Sequence, residues 1–100
     1  MVRHIVMFDF SNLSKDQIKN LIDGFTQLIK VPEVLSLEWG TESNAEDSPL
    51  GFTHCFLLTF HHFEDLKKYL NSEAHRNYET EVMKYRNKVL VFDYEAISAQ

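Results

Sequence analysis

The sequence predicts a single α+β domain of ferredoxin-like order, β-α-β-β-α-β, that pairs with a second copy into a homodimeric α+β barrel. Three observations predict it. Four segments carry a strand-like run of apolar residues, and helical stripes separate the first from the second and the third from the fourth. The strands carry apolar residues on both faces, whereas helices on one side of a sheet cover only one of them. The chain has 100 residues, enough for one domain, 1–100, to hold a core without disulfides or metal.

The first strand, 2–10, puts Val2, His4, Val6, Phe8 and Phe10 on one face and Arg3, Ile5, Met7 and Asp9 on the other. Ser14 then opens a helix, with Gln17 three residues on completing a capping box. Ile18, Leu21, Ile22, Phe25, Leu28 and Ile29 form its apolar stripe, and Pro32 stops it. Gly24 inside the stripe costs about 1 kcal/mol against Ala, which marks a close backbone contact. Residues 34–41 read as the second strand, with Leu35, Leu37 and Trp39 on one face. Residues 42–50 form an acidic loop with Pro49, the longest connection and the expected mobile element.

The third strand, 52–60, alternates Phe52, His54, Phe56, Leu58 and Phe60 against Thr53, Cys55, Leu57 and Thr59. A short helix over 61–70 follows, with Glu64 and Asp65 in its first turn, where the helix dipole favours them. Asn71 and Ser72 break it, and Ser72 caps a further helix from Glu73 to about Arg86. Residues 89–94 are the last strand. Right-handed crossovers are expected to place the first and third strands side by side and parallel at the centre.

The sheet face away from the helices is expected to carry Ile5, Met7, Cys55, Leu57, Val89 and Val91. That is a larger apolar patch than monomers usually expose, and an isologous second copy is the simplest cover. The net charge of −5 and the lack of a basic run argue against nucleic acid and anionic membrane surfaces as partners. No apolar run approaches the ~20 residues that span a bilayer. A lone cysteine, Cys55, and the absence of a signal-like start point to a cytoplasmic setting.

Several segments, in order, carry a resemblance. They are Val2-Arg3-His4-Ile5-Val6, Glu38-Trp39-Gly40, Gly51-Phe52-Thr53-His54, Leu58-Thr59-Phe60, Ala74-His75 and Val91-Phe92-Asp93-Tyr94. Together they resemble the stress-responsive A/B barrel domain family from about residue 2 to residue 94. The resemblance implies a homodimeric barrel of ferredoxin-like subunits, and one branch holds a cofactor-free polyketide cyclase. By that resemblance His75 matches the cyclase's general base and Tyr69 its tyrosine, six residues earlier. His4 and His54 match histidines lining its pocket. Ser72 and Glu73 depart from the family pattern, standing where His-Pro is frequent.

The residues reach the same constellation on their own terms. His4 and His54 share the helix-facing side of adjacent central strands, and Tyr69 and His75 descend from the helices above. Polar groups converging in an apolar layer have the profile of a small-molecule pocket. His75 near the start of its helix is held neutral by dipole and burial, fit to accept a proton. Tyr69 can donate to a carbonyl and stabilise a developing enolate, so no cofactor is called for. Trp39 is a further candidate lining residue, with plain packing as its other reading.

The blander account is that the histidines satisfy one another or backbone carbonyls and serve packing alone. Three histidines and a water are a catalytic zinc pattern, but no tight ligand spacing among His4, His54 and His75 supports one, and no metal is expected. Three functions therefore stand from sequence. The first is a dimeric barrel protein that binds a small apolar ligand or has a mainly structural role, the second a cofactor-independent cyclase or isomerase using His75 and Tyr69. The third, remoter, is a monooxygenase acting on haem or quinols.

Overall fold

The computed structural model describes residues 1–43 and 50–99. The expectation of a mobile 42–50 loop falls mainly on residues 44–49, outside the described residues. In chain order the elements are β1 (Val2–Phe8), α1 (Lys15–Thr26), a 3-10 turn (Gln27–Lys30), β2 (Ser36–Thr41), β3 (His54–Phe60), α2 (Phe63–Leu70), α3 (Glu73–Met83) and β4 (Val89–Glu95). This is the ferredoxin-like order, with the second helical region split in two.

The sheet runs β2-β3-β1-β4, and every neighbouring pair is antiparallel. β1 and β3 are the central neighbours, but the parallel orientation read from the sequence is wrong. The α1 crossover returns β2 parallel to β1. β3 then turns back against β2 and slots between the two, so it opposes both.

Local chemistry sets the helices. Ser14 Oγ accepts from the Gln17 N–H at 3.1 Å, and Gln17 Oε1 accepts from the Ser14 N–H at 3.0 Å. Such a cap is worth about 1 kcal/mol. The α1 stripe drives Leu21 and Phe25 into the core. Phe25 stacks on Phe56 of β3 at 4.0 Å and meets Phe8 of β1 edge-on at 6.3 Å. Burying one such ring contributes roughly 1.5–3 kcal/mol.

α3 leans on α1. A Cβ at Gly24 would stand 3.2 Å from the Tyr78 ring, and the Tyr78 hydroxyl donates to the Leu21 carbonyl at 2.9 Å. The bare glycine is what lets the ring come that close, as its place in the stripe implied. Ser72 forms the α2–α3 joint: its hydroxyl donates to the Tyr69 carbonyl at 2.7 Å and accepts from the His75 N–H at 3.1 Å. The last helix ends at Met83 rather than near Arg86, because Arg86 takes a left-handed φ of 53°. That conformation costs a non-glycine residue about 1–2 kcal/mol and turns the chain into β4.

The register assigns the faces. Helix-side positions include His4, Val6 and Phe8, with Phe56, Leu58, Val89, Val91 and Asp93 opposite them. The open face carries Arg3, Ile5, Met7, Cys55, Leu57, Leu90, Phe92 and Tyr94. Val89 and Val91 are thus not on the open face as expected, because they pair with Phe8 and Val6 of the helix side. Leu90 and Phe92 stand there instead, and Phe92 is 58% exposed. Among the described residues no helix is long and apolar enough to cross a membrane.

Candidate functional site

Because α3 rests on α1, the helix side of β4 is left partly uncovered. Val89 and Val91 are exposed there although their β1 partners, Phe8 and Val6, are buried. A cavity of about 190 Å³ opens between α3 and β4. Val6, Phe8, Phe25, Val82, Val89 and Val91 form its apolar wall, and His4, Tyr69, His75 and Asp93 supply a polar cluster. For scale, an apolar protein cavity of about 150 Å³ is enough for benzene.

His4 sits on β1 at 3% exposure, directly across from Asp93 on β4. Its Nδ1 meets Asp93 Oδ1 in a short hydrogen bond. A carboxylate accepts, so Nδ1 carries the proton and Nε2 is the nitrogen left for other partners. Pairing with Asp93 is how a buried imidazole keeps a satisfied polar group in an apolar layer.

Tyr69, 1% exposed near the end of α2, spans the two histidines. Its ring lies 5.9 Å from that of His4, near edge-on, and 4.9 Å from that of His75. Burial pushes the phenol far above its ordinary range, so it stays a neutral O–H donor.

His75 is the third residue of α3, behind the Ser72 cap. Its Nδ1 lies 3.0 Å from the Leu70 carbonyl. A carbonyl only accepts, so Nδ1–H donates and the neutral ring leaves Nε2 as a free base. Burial lowers the His75 pKa; nearby Glu79 and the Leu70 hydrogen bond pull it back in part, and His4 adds a little to the lowering. The sum keeps it neutral, with its base form present at neutral pH.

His54 and Trp39 do not join this cluster. His54 is on the helix side, as expected, but it pairs with Phe8, while His4 pairs with Leu58. Four strand residues, about 13 Å, separate the two positions. His54 instead shares a 2.8 Å hydrogen bond with Thr53 Oγ1 and lies 5.0 Å from the Phe10 ring. Burial lowers its pKa. Trp39 is 44% exposed and stacks over Phe56 at 6.1 Å, bordering a shallow depression with Ile18 and Ile22 of α1. With His54 this far off, the three-histidine zinc site has no geometry. Among the described residues no trio of histidine, cysteine, aspartate or glutamate is grouped to hold a metal ion. Cys55 faces the open side of the sheet, opposite Met7, with its thiol pushed up by burial and by Glu38.

Sequence reasoning missed Asp93, the His4 partner. The sequence showed only a lone carboxylate in phase with Val89 and Val91; pairing with β1 is what puts Asp93 on the helix side. It missed Glu79 and Asn87 as well, both in the cavity wall.

The family model described as Stress responsive A/B Barrel Domain matches residues 2–96. The stress-response A/B barrel domain-containing protein HS1 of Arabidopsis thaliana is 31% identical over 97% of this chain and 91% of its own. Olivetolic acid cyclase of Cannabis sativa is 23% identical over 93% of this chain and 94% of its own. A hydroxynitrile lyase from Passiflora edulis superposes with a TM-score of 0.88 at 31% identity, covering 99% of this chain and 95% of that one. Solved structures at 14–19% identity share the fold, and several of them are described as dimeric ferredoxin-like proteins.

Proposed function

The chain belongs to the stress-responsive A/B barrel domain family, and from that premise we propose that it is a homodimer binding one small, apolar, carbonyl-bearing molecule in the α3–β4 cavity. The chemistry that fits the site best is cofactor-free proton transfer at the carbon beside that carbonyl. His75 Nε2 is the base, the Tyr69 hydroxyl donates to the carbonyl oxygen, and Asp93 holds His4 in one tautomer beside them. His54 and Trp39, outside the cavity, bind ligand in this reading only if a second molecule sits at their end of the sheet.

The observation that carries the reading is the His75 side chain. Its Nδ1–H is committed to Leu70, and its other nitrogen is free in a half-buried, largely apolar cavity. Abstraction of a proton there leaves an enolate, and Tyr69 supplies a hydrogen bond to its oxygen. Such an enolate can close on a second carbonyl or be the product of a bond cleavage. Of the relatives, one is named a cyclase and one a hydroxynitrile lyase; the cyclase name fits the first of these outcomes. The dimer is supported by the open sheet face, where Ile5, Met7, Leu57, Leu90 and Phe92 form one apolar surface.

Acetophenone in deuterated buffer tests the chemistry. The protein is expected to speed loss of its methyl-proton NMR signal above that of free imidazole at equal concentration. Titration shifts confined to the cavity amides with no added exchange would leave a binding protein without this chemistry. Absence of both would remove the cavity as the site.

A further inference from the structure

We infer that Asn87 is a ligand-binding residue that selects neutral molecules with a second oxygen, at the end of the cavity away from His75. The inference rests on the cavity reading above and specifies its substrate class. The Asn87 Nδ2 atom is buried and has no hydrogen-bond partner among the described residues. Buried amide donors are rarely left so, and the exceptions call for a reason. Asn87 lines the same cavity as Tyr69 and His75. It is held there by the left-handed turn at Arg86, one residue earlier.

Position follows from the register. Val89 lies opposite Phe8 and Asp93 opposite His4, so the cavity runs along β4 for about 13 Å between those two levels. Asn87 precedes Val89 and stands at the Phe8 end. Asp93, His4 and Tyr69 gather at the other. A ligand whose reacting carbonyl meets Tyr69 would therefore extend along Val91 and Val89 toward the Asn87 amide.

An N–H donor with no partner asks for an oxygen acceptor. The charge of the wall says which kind. Glu79 and Asp93 both line the cavity, and neither lysine nor arginine does among the described residues. A carboxylate on the ligand would share the cavity with Glu79 and Asp93 and meet no counter-ion in its wall, so a neutral carbonyl or hydroxyl oxygen fits better. The ligand class is then an elongated, uncharged, mainly apolar molecule with an oxygen at each end.

The test compares 1,4-diacetylbenzene with 4-ethylacetophenone, which share shape and one carbonyl and differ in the second oxygen. Binding to the intact chain is followed by backbone amide shifts of Val89, Val91 and His75. Wild type is expected to bind the diketone roughly 3- to 10-fold more tightly, the range of one net hydrogen bond. Asn87→Leu is expected to erase that preference. Its melting temperature is expected to hold or rise, since an unpaired buried donor is removed, where a packing role would lower it. Equal wild-type affinities, a comparison that needs no variant, would overturn the inference and leave the cavity intact. So would a preference that persists in Asn87→Leu. Failure of both probes to bind would overturn the cavity reading and this one with it.

Discussion

His75→Ala is expected to lower the rate of methyl-proton exchange in acetophenone by roughly 10²- to 10⁴-fold relative to wild type, the usual contribution of a positioned general base. Binding of acetophenone is expected to change far less, because Tyr69, the proposed carbonyl donor, is untouched. The split matters. A histidine that only packed would, on truncation, loosen the Tyr69–His75 contact and weaken binding together with rate. The backbone role of residue 75 survives the change, since the Ser72 hydroxyl caps its N–H and not its ring. The fold is thus expected to persist in the variant. Equal losses in affinity and rate, with none beyond them, would assign His75 to packing.

Phe92→Glu is expected to convert the proposed dimer to a monomer at micromolar concentration, weakening association by at least roughly 100-fold. Phe92 is 58% exposed on a sheet face that also presents Ile5, Met7, Leu57 and Leu90. A second copy over that face would take the ring out of water. A carboxylate in its place would be taken out of water on a largely apolar face, which costs several kcal/mol per copy in such an interface. In the lone subunit the same carboxylate is solvated, so circular dichroism should change little. Sedimentation velocity separates the outcomes. A wild-type chain that sediments as a monomer would refute the dimer outright, and a Phe92→Glu dimer would move the interface elsewhere.

The extent to which the sequence disclosed this architecture differs by element. α1 was legible because capping box, apolar stripe and Pro32 agree, and each marks a different part of the helix. β4 was legible as a strand but not in phase. Val-Leu-Val-Phe is apolar at every position, so a two-residue period cannot say which pair faces the helices. Only pairing with β1 decides it, and it decides for Val89 and Val91. The relative direction of β1 and β3 likewise depends on how β2 and β3 connect, not on the residues within them. At the site, His4, Tyr69 and His75 converge as their periodicities implied. His54 shares their face but not their end of the sheet, since alternation reports which side a residue faces and is silent on distance along the strand. Asp93 and Asn87 are lone polar residues near a strand, and their meaning appears only when His4 and the cavity are set beside them.

The central claim is that His75 is a neutral base whose free nitrogen is Nε2. Histidine ¹⁵N labelling with NMR titration of the ligand-free protein tests it without a substrate. The account predicts the Nδ1-protonated tautomer at neutral pH and a titration midpoint below the ordinary 6.5, because burial disfavours the cation. As pH falls through that lowered midpoint, His75 gains its proton and exchange activity falls with it. An Nε2-protonated ring, or a midpoint at or above 6.5, would contradict the account.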